Sequence, residues 1–413
     1  MTGIKPVKKI LIVSQYFWPE NFRVNELVLE LKKRGYILEV LTSTPNYPKG
    51  KVFPDFESNP QKYKDYFGVK VHRVPQILRR NNRFSLALNY VSFVITASIY
   101  SFLNFRNKDF DSVLGIQLSP IFSMIPAIVC NKIMKKPLYI WVLDIWPDSI
   151  IGGGVKSGII ISLLKRLCIS IYSSADILFL SSEGFKTKLD EMGVTAPKLV
   201  YFPQWVEVDY LDDIQLGSHM DSEVQQLVLK WQNKVIITFT GNIGDAQDFP
   251  SIIKGLKKCR RLKDLILLII GDGRYKKELL ENIKSEGMDN NVFFLGQYPA
   301  KYIPLFYHYS DYLLVSLRDA PVFAYTLPGK VQSYMSSGKP IIGMVNGEAA
   351  RVISEVGCGY IVASGDHSGF AELLSRCCSL DNNERQKLGS MGQKYAYTNF
   401  RLESLVDKMI KHL

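Results

Sequence analysis

Short apolar runs recur along the chain and alternate with segments of helical spacing. The runs "KKILIVSQYF" and "YILEVLTST" show no regular alternation of polar and apolar residues, which is typical of strands buried on both faces of a parallel sheet. Between them, "VNELVLELKKRG" has apolar residues at helical spacing and ends at Gly35. A strand, a helix and a second strand in this order predict a parallel sheet.

The pattern continues in two blocks that are separated by a polar stretch. The first block contains the further runs "DSVLGIQ", "PLYIWVLD" and "ADILFLSS". The stretch "VEVDYLDDIQLGSHMDSEVQQ" is acidic and has no strand pattern. The second block contains "KVIITFTGNIG", "DLILLIIGDG", "NVFFLG", "DYLLVSL", "KPIIGM" and "GYIVAS", again with helical segments between the runs. The break indicates a boundary between two α/β domains.

The predicted fold class is therefore α/β, with two Rossmann-like parallel-sheet domains that face each other across a cleft. A chain of 413 residues has the length expected for two such domains. We expect the first domain at 1–205, a linker at 206–230, the second domain at 231–395, and a helical segment at 396–413 that crosses back to the first domain. Ligands of open α/β sheets bind outside the carboxyl ends of the strands, which predicts a site in the cleft.

One segment of the first domain, Phe84–Phe105, carries no charged residue over its 22 positions. Basic residues flank it on both sides: Arg79, Arg80, Arg83, Arg106 and Lys108. Its length would suffice to cross a bilayer, but its Ser, Asn and Thr content argues against a span. Three interpretations remain open at this point: a core helix, an amphipathic helix on a membrane surface, and a true span.

Charge is distributed unevenly between the two halves. The net charge of +12 arises within residues 1–200, which hold 27 Lys and Arg against 15 Asp and Glu, whereas residues 201–413 hold 24 of each. A basic half indicates an anionic partner, such as acidic lipid, nucleic acid or a phosphorylated substrate, unless the lysines only promote solubility. No nucleic-acid-binding motif accompanies the charge, and the uncharged segment fits lipid better, so we expect no nucleic acid partner.

Composition bounds the class of protein and its compartment. A hydrophobic content of 47% with 22% charged residues is typical of a globular protein. The six cysteines form no CxxC pair, which predicts reduced thiols, and the five histidines show no metal-ligand grouping. The apolar run in "MTGIKPVKKILIVSQYF" is too short for a secretory signal peptide. We therefore expect a cytoplasmic protein.

Loops of the second domain follow the apolar runs and carry residues suited to bind an anion or a base. Gly241 and Gly244 lie in the first loop, and Gly271 and Gly273 repeat the arrangement in the second. Backbone N–H groups in such turns can face a phosphate. In the third loop, Gly296–Tyr298, the side chains are suited to stack on a base or to contact its edge.

A fourth loop opens the stretch "LPGKVQSYMSSGKPIIG", in which Gly329 and Lys330 stand at the start of a helical segment. The free N–H groups and positive dipole end of a helix favour phosphate, and the lysine adds a full charge. The alternative is a capped core helix with a solvated lysine. Four such loops at strand ends of one domain predict a nucleotide diphosphate bound across the second sheet.

In the order and spacing of these motifs, the chain resembles the family 4 glycosyltransferases, which have the GT-B fold. The resemblance covers nearly the whole chain and begins with "SQYFWPENFRVNELVLELKKRGYILEVLTSTPNYPKG", which is similar to the family's N-terminal strand, loop, helix and strand. Four motifs resemble the branch of WbuB-like bacterial N-acetylfucosaminyltransferases, which build surface polysaccharides: "VLDIWPDS", "PNYPKG", "GNIGDAQ" and "PGKVQSYMSSGKPIIG".

The resemblance implies a retaining, metal-independent hexosyltransferase without a cofactor. Its donor, on the second domain, would be a nucleotide sugar, such as UDP-linked N-acetylfucosamine or a related deoxyamino sugar. Its acceptor, on the first domain, would be an undecaprenyl-diphosphate-linked saccharide for O-antigen or capsule synthesis. The enzyme would be peripheral on the inner face of the cytoplasmic membrane, held to anionic lipid by its basic half and Phe84–Phe105. The alternatives are a UDP-sugar 2-epimerase of the same fold and a catalytically idle nucleotide-sugar-binding protein.

The resemblance also assigns candidate site residues. The catalytic candidates are Lys330, which would neutralise the leaving diphosphate, and Asp144 of the first domain. The donor-binding candidates are Gly241, Asn242, Gly244, Gln247, Gly273, Tyr298, Gly329 and Ser333. Weaker candidates for contact with the acceptor or the donor sugar are Arg23, Asp148 and Glu348.

Three departures from the family pattern change the expected donor site. Asn242 and Gln247 stand where many relatives carry Arg and Lys, which leaves more of the phosphate charge to the remaining lysine. Two glutamates of many relatives correspond to Tyr325 and Ser333, and a serine holds ribose hydroxyls less strongly than a carboxylate does. Leu143 replaces a histidine that touches the donor sugar, which fits a deoxy sugar with fewer hydroxyls.

Overall fold

The chain folds into two compact units, each built around its own β-sheet. The first unit extends to Pro203 and also contains Leu405–Leu413, whereas the second unit is Gln204–Ser404. The computed structural model describes the following residues: 8–48, 50–79, 83–148, 158–206 and 219–413.

The described strands of the first unit are β1 Lys9–Val13, β2 Ile37–Ser43, β3 Asp65–Tyr66, β4 Val69–Val74, β5 Ser112–Gln117, β6 Leu138–Val142, β7 Ile177–Leu180 and β8 Lys198–Tyr201. They form one sheet in the order β3-β4-β2-β1-β5-β6-β7-β8. Among these strands, only β3 and β4 pair in antiparallel fashion. In β1, Ile10 pairs with Leu38 of β2 and Ser112 of β5, and Ile10–Val13 are fully buried, as expected for a strand covered on both faces.

Helices connect these strands. The described helices of the first unit are α1 Arg23–Lys33, α2 Pro54–Ser58, α3 Arg83–Phe105, α4 Ile125–Met134, α5 Gly158–Ser173 and α6 Gly184–Met192. In α1, Val24, Leu27, Val28 and Leu31 are buried at helical spacing, which is the pattern that predicts this helix from the sequence. A 3₁₀ turn, Ile121–Met124, leads directly into α4.

The second unit has a sheet of six described strands: β9 Val235–Thr240, β10 Leu265–Ile270, β11 Val292–Gly296, β12 Tyr312–Ser316, β13 Ile341–Met344 and β14 Gly359–Val362. All are parallel, in the order β11-β10-β9-β12-β13-β14. Because β9 lies between β10 and β12, the direction of strand addition reverses beside it. Ligands of open α/β sheets bind at such a switch point, outside the carboxyl ends of the strands.

The second sheet is covered on both faces. The remaining described helices are α7 His219–Leu229, α8 Phe249–Lys258, α9 Lys276–Ser285, α10 Ile303–His308, α11 Pro321–Ala324, α12 Gly329–Ser336, α13 Gly347–Val356, α14 His367–Cys377, α15 Asn382–Asn399 and α16 Leu402–Met409. Alternate strand residues point into two separate cores: Ile236 and Leu268 belong to one, and Ile237 and Leu267 to the other. The continuous apolar runs are explained by this double coverage.

The predicted fold class is confirmed, since both sheets are Rossmann-like and nearly all of their strand pairs are parallel. Every apolar run that predicts a strand forms one. Strands β3, β4 and β8 are additional, because the alternating "VKVHRV" of β4 and the two other short strands lack the pattern of a strand buried on both faces.

The unit boundaries differ from the expected ones in two places. Of the expected linker 206–230, residues 219–229 form α7, whose Val224 and Val228 are buried in the core of the second unit; 207–218 lie outside the described residues. The chain returns to the first unit at Leu405 rather than at residue 396. Helix α15 stays with the second unit because it packs against α12.

The uncharged segment forms α3, and the two faces of this helix differ. One face packs against α4 and is buried: Asn89, Phe93, Ala97, Ser101 and Phe105. The other face exposes an apolar stripe: Phe84, Leu88, Val91, Ile95, Ile99, Phe102 and Leu103. Within the described residues it is the one helix long and apolar enough to cross a membrane, and 22% of its most apolar window is buried. The core-helix interpretation therefore holds for one face only.

Candidate functional site

The loops after β9, β10 and β11 interlock at the carboxyl edge of the second sheet. The Gly241 N–H donates to the Ile270 carbonyl at 2.9 Å, and the Gly271 N–H donates to the Gly296 carbonyl at 2.8 Å. A Cβ at Gly271 would lie 1.9 Å from the Gly241 carbonyl oxygen, and Gly271 has a φ of +149°. Only glycine allows this close approach of two loops.

A cavity of about 480 Å³ opens beside these loops. It is lined by residues 240–242, 270–272 and 297–300 together with Ile303. The Tyr298 ring packs edge-on against Phe306, with the ring centroids 4.7 Å apart, so its position is fixed at the wall. The cavity has the size of a small-ligand site and brings together the predicted residues Gly241, Asn242 and Tyr298.

Helix α12 is held with its N-terminus at the carboxyl end of β9. The Tyr334 hydroxyl accepts a hydrogen bond from the Thr240 N–H at 3.0 Å, and the Tyr307 hydroxyl lies 2.8 Å from Thr240 Oγ1. Pro328 precedes the helix and supplies no side-chain cap. The free N–H groups of the first turn, which form the positive end of the helix dipole, therefore lie beside Gly241.

The Lys330 ammonium, on the first turn of α12, is buried without a hydrogen-bond partner among the described residues. Its Nζ lies 3.8 Å above the centroid of the Phe239 ring and 3.6 Å from the position that a Cβ of Gly241 would take. Burial lowers the pKa of Lys330 to about 7. A buried cation at a helix N-terminus, with no counter-charge on the residues that the structure describes, is suited to receive an anion.

Other predicted donor residues hold the backbone of these loops. The buried Gln247 side chain accepts a hydrogen bond from the Gly244 N–H at 2.9 Å and so closes the turn after β9. A Cβ at Gly273 would lie 2.1 Å from the Ile243 carbonyl oxygen. The Ser333 hydroxyl donates to the carbonyl of Gly329, one helical turn earlier, at 3.3 Å.

Glu348 is engaged in an ion pair within its own helix. It lies in the first turn of α13 and is buried, and both carboxylate oxygens bind Arg351, at 2.9 Å and 2.8 Å. This bidentate pair raises the pKa of Arg351. The arrangement explains how a carboxylate can be buried here without a ligand.

The structure places the three candidates of the first unit as follows. Asp144 follows β6 and is half-buried, and its Oδ2 accepts a hydrogen bond from the Trp146 indole N–H at 3.2 Å. Asp148 is buried and forms an ion pair with Lys188 at 2.7 Å. Arg23 begins α1, and its guanidinium lies 3.5 Å from the Glu26 carboxylate.

Two residues that sequence patterns did not single out stabilise loops at strand ends, one in each unit. The buried Glu20 carboxylate accepts hydrogen bonds from the N–H groups of Asn46 at 2.8 Å and Tyr47 at 2.7 Å, which joins the loop after β1 to the loop after β2. Burial raises the pKa of Glu20. In the second unit, Arg318 forms an ion pair with Asp245 in the loop after β9. Both contacts join segments distant in sequence, so no local pattern marks them.

The described residues contain no group of three or more His, Cys, Asp or Glu that could hold a metal ion. All six cysteines lie in the described part of the chain and carry free thiols.

Two Rossmann-like parallel-sheet units with a site at the switch point of the second sheet define a GT-B architecture. Solved structures agree with it over nearly the whole chain. HepE from Anabaena, solved with UDP, superposes with a TM-score of 0.70 at 14% identity over 98% of each chain. Sucrose-phosphate synthase from Thermosynechococcus elongatus gives 0.72 at 13% identity over 98% of each chain. WaaG, a glycosyltransferase of lipopolysaccharide biosynthesis, gives 0.63 at 14% identity over 97% of this chain and 98% of its own.

Sequence comparison finds similarity to glycosyltransferases. Residues 222–395 match the family model "Glycosyl transferases group 1". WcaI of Escherichia coli (strain K12), provisionally assigned as a colanic acid biosynthesis glycosyl transferase, is 25% identical over 340 residues, 80% of this chain and 81% of its own. The probable glycosyltransferase WbjE of Pseudomonas aeruginosa is 26% identical over 251 residues, 58% of this chain and 60% of its own. These findings support the predicted glycosyltransferase family; the WbuB-like branch stays a prediction.

Proposed function

We propose that this chain is a retaining, metal-independent glycosyltransferase that moves a sugar from a nucleoside diphosphate sugar to a lipid-linked saccharide in bacterial surface polysaccharide synthesis. The observation that carries the proposal is the buried Lys330 ammonium, which has no partner among the described residues and lies at the uncapped N-terminus of α12 beside Gly241. Such a group destabilises the protein unless an anion neutralises it.

The proposed donor lies across the carboxyl edge of the second sheet. Its base occupies the 480 Å³ cavity, where Tyr298 and Gln297 face it from the loop after β11. Its diphosphate continues past Gly241, which also lines the cavity, to Lys330 and the first amides of α12. Both ends of the ligand then contact groups that the fold holds in place before binding.

Catalysis follows from charge that develops on the leaving diphosphate. As the bond between the sugar and the phosphate oxygen breaks, negative charge accumulates on the diphosphate, and the ammonium of Lys330 and the helix N–H groups stabilise it. The acceptor hydroxyl attacks the sugar carbon from the same face, which retains the configuration, and its proton passes to the departing diphosphate oxygen. Asp144, partly exposed at the end of β6, is the proposed polar group of the first unit that contacts the reacting sugar.

The comparisons support the nature of the donor and of the product. HepE was solved with UDP and with UDP-glucose, which supports a UDP-linked sugar. WcaI is provisionally assigned to colanic acid biosynthesis and WaaG to lipopolysaccharide biosynthesis, which supports a role in surface polysaccharide synthesis, of O-antigen or capsule type. The proposed sugar is N-acetylfucosamine or a related deoxyamino sugar, and the proposed lipid is undecaprenyl diphosphate.

The first unit is proposed to bind the inner face of the cytoplasmic membrane. Helix α3 exposes its apolar stripe, and α5 exposes Ile159, Leu163 and Leu167, also at helical spacing. Both helices pack against the 3₁₀ turn Ile121–Met124. Two apolar stripes held by one turn, in the half of the chain that carries the whole net charge, fit a peripheral contact with anionic lipid.

The first test is a thermal-shift titration with UDP, GDP, ADP and dTDP, run on the wild-type chain, on Lys330→Ala and on Lys277→Ala. Lys277 is an exposed lysine of the same unit and serves as the control. We expect stabilisation by one diphosphate in the wild type and in Lys277→Ala, and its loss in Lys330→Ala. Unchanged binding by Lys330→Ala would contradict the proposed donor site.

The second test supplies the matching nucleotide sugars with a lipid-linked saccharide, with and without a chelator. A glycosylated lipid whose new bond keeps the donor's anomeric configuration, formed equally in the chelator, is the expected product. An isomerised nucleotide sugar in the absence of acceptor would identify the 2-epimerase instead. Tight donor binding with neither reaction would identify a nucleotide-sugar-binding protein.

A further inference from the structure

A second cavity, of about 670 Å³, lies in the first unit between β4 and the C-terminal half of α3. Four of its lining side chains are cationic: Lys64, Lys70, Arg73 and Lys108. Among the described residues that line it, none is Asp or Glu. We refer to this cavity as the basic pocket. A concave surface lined by one sign of charge attracts and retains anions.

Two of the four cations are available to a ligand. Lys64 and Lys70 are exposed, and neither ammonium has an ion-pair or hydrogen-bond partner in the described ranges of the chain. Lys108 binds Glu39 at 2.8 Å. The Arg73 guanidinium donates to backbone carbonyls, among them that of Ser43 at 3.0 Å, and its charge interacts with the Glu20 carboxylate.

One carboxylate beside the basic pocket, Glu39, already binds several cations. Besides Lys108, Glu39 binds Lys9 at 3.0 Å and His72 at 2.7 Å. These partners hold the pKa of Glu39 at about 2, so it stays ionised without offsetting the exposed lysines. The other ring nitrogen of His72 lies 2.9 Å from the Tyr100 hydroxyl, which fixes this part of the wall to α3.

The basic pocket borders the exposed stripe of α3. Tyr100 and Asn104 of this helix line the pocket, and Ile99, Phe102 and Leu103 of the same two turns are exposed apolar residues of the stripe. A ligand whose charge lies in the pocket can therefore place an apolar tail along the helix. This combination of an anionic head and an apolar tail is that of a phospholipid or polyprenyl phosphate.

We propose that the basic pocket binds the phosphate headgroup of an anionic lipid, with the lipid chains along the exposed face of α3. The inference rests on the membrane contact proposed for the first unit and is independent of the donor site in the second. The proposal assigns a specific headgroup site, where the membrane contact alone would need only a diffuse attraction between a basic surface and anionic lipid. Lys64 and Lys70 supply its two free charges.

The test is co-flotation of the full chain with two kinds of phosphatidylcholine vesicle. One contains phosphatidylglycerol at about one lipid in three, and the other lacks it. The double variant Lys64→Gln/Lys70→Gln removes two charges from the pocket. The matched variant Lys33→Gln/Lys186→Gln removes two charges from exposed helix positions of the same unit. We expect the pocket variant to lose about tenfold or more in partitioning to anionic vesicles, since each lysine near an anionic surface contributes about 1 kcal/mol. The matched variant should lose about threefold at most.

Each other outcome has a distinct meaning. Equal losses in the two double variants would overturn the pocket and leave only diffuse attraction. Wild-type protein that ignores anionic vesicles would overturn the membrane contact itself. Stabilisation by inorganic phosphate alone, abolished by Lys64→Gln/Lys70→Gln without any change in flotation, would show a free-phosphate site and overturn the lipid. In every variant the shift with the preferred nucleoside diphosphate should be unchanged, which separates this inference from the donor site.

Discussion

Replacing Lys330 with methionine is expected to change both the stability of the free protein and its affinity for a nucleoside diphosphate. Methionine matches the length of the lysine stem and keeps the contact with the Phe239 ring, over which the ammonium now lies at 3.8 Å. The substitution therefore removes a buried charge with little change in packing. Lys277→Met, on the exposed side of α9, is the control.

The magnitude follows from the pKa of Lys330, which burial lowers from 10.5 to about 7. At about 1.4 kcal/mol per pH unit, the buried ammonium costs the free protein about 3–5 kcal/mol at pH 7. Between pH 7 and 10.5 the unfolded chain binds more protons at this lysine than the folded chain does. The free energy of unfolding of the wild-type protein should therefore increase as pH rises through that window. Lys330→Met should be more stable at pH 7 and should lack this gain, as measured by urea unfolding.

Binding should show the opposite pH dependence. A diphosphate in contact with Lys330 favours the charged form, so binding above pH 7 takes up close to one proton. The ligand's own last phosphate pKa, near 6, contributes little there. We expect wild-type affinity to fall by up to about tenfold per pH unit above pH 7, and Lys330→Met to bind roughly 10–100-fold more weakly at pH 6.5 with no such slope. Titration calorimetry in two buffers of different ionisation enthalpy measures the proton uptake. A slope that survives in Lys330→Met, or a flat wild-type profile, would refute the reasoning.

Three further predictions concern neighbouring parts of the fold. Gly271→Ala should lower the free energy of unfolding by about 2–4 kcal/mol, because its Cβ would meet the Gly241 carbonyl oxygen at 1.9 Å. Urea unfolding measures the loss, with Gly365→Ala as a control that also has a positive φ, of +76°, but has open surroundings. Glu20→Leu should lower the free energy of unfolding by about 2–4 kcal/mol, because the two N–H groups that donate to Glu20 would stay buried without an acceptor. An unchanged urea-unfolding midpoint would contradict this role of Glu20 in joining the two loops. Tyr298→Ala should weaken nucleotide binding about tenfold through lost stacking, with Tyr302→Ala as the control outside the cavity; equal affinities would exclude Tyr298 from the base site.

Local patterns in the sequence were sufficient to predict the elements and the class of fold. In the run that became β1, Ile10–Val13 are all apolar and buried, and the run that became β9 is mostly apolar and is buried at all six positions. The glycines at the strand ends are also explained by local backbone conformation, since the φ of +125° at Gly241 is one that other residues rarely adopt. Such signals depend on the residue and its immediate neighbours, so they can be read without knowing the fold.

Contacts between distant segments were not available in this way. The sequence places Lys330 on a first helical turn, but its burial against Phe239 depends on β9 lying beside β12 and on the hydrogen bond that Tyr334 accepts from Thr240. The expected linker became α7 for the same reason: its Val224 is buried only because the second core accepts it.

By itself, then, the sequence determined the two parallel α/β sheets, the glycine-rich loops at their strand ends and the presence of a lysine at one helix start, because periodicity and backbone preference act over a few residues. Tertiary structure alone decided that this lysine would be a buried cation with a lowered pKa and that Lys64, Lys70 and α3 would share a pocket. Burial and charge pairing are set by strand order and helix packing, which join residues that no local pattern connects.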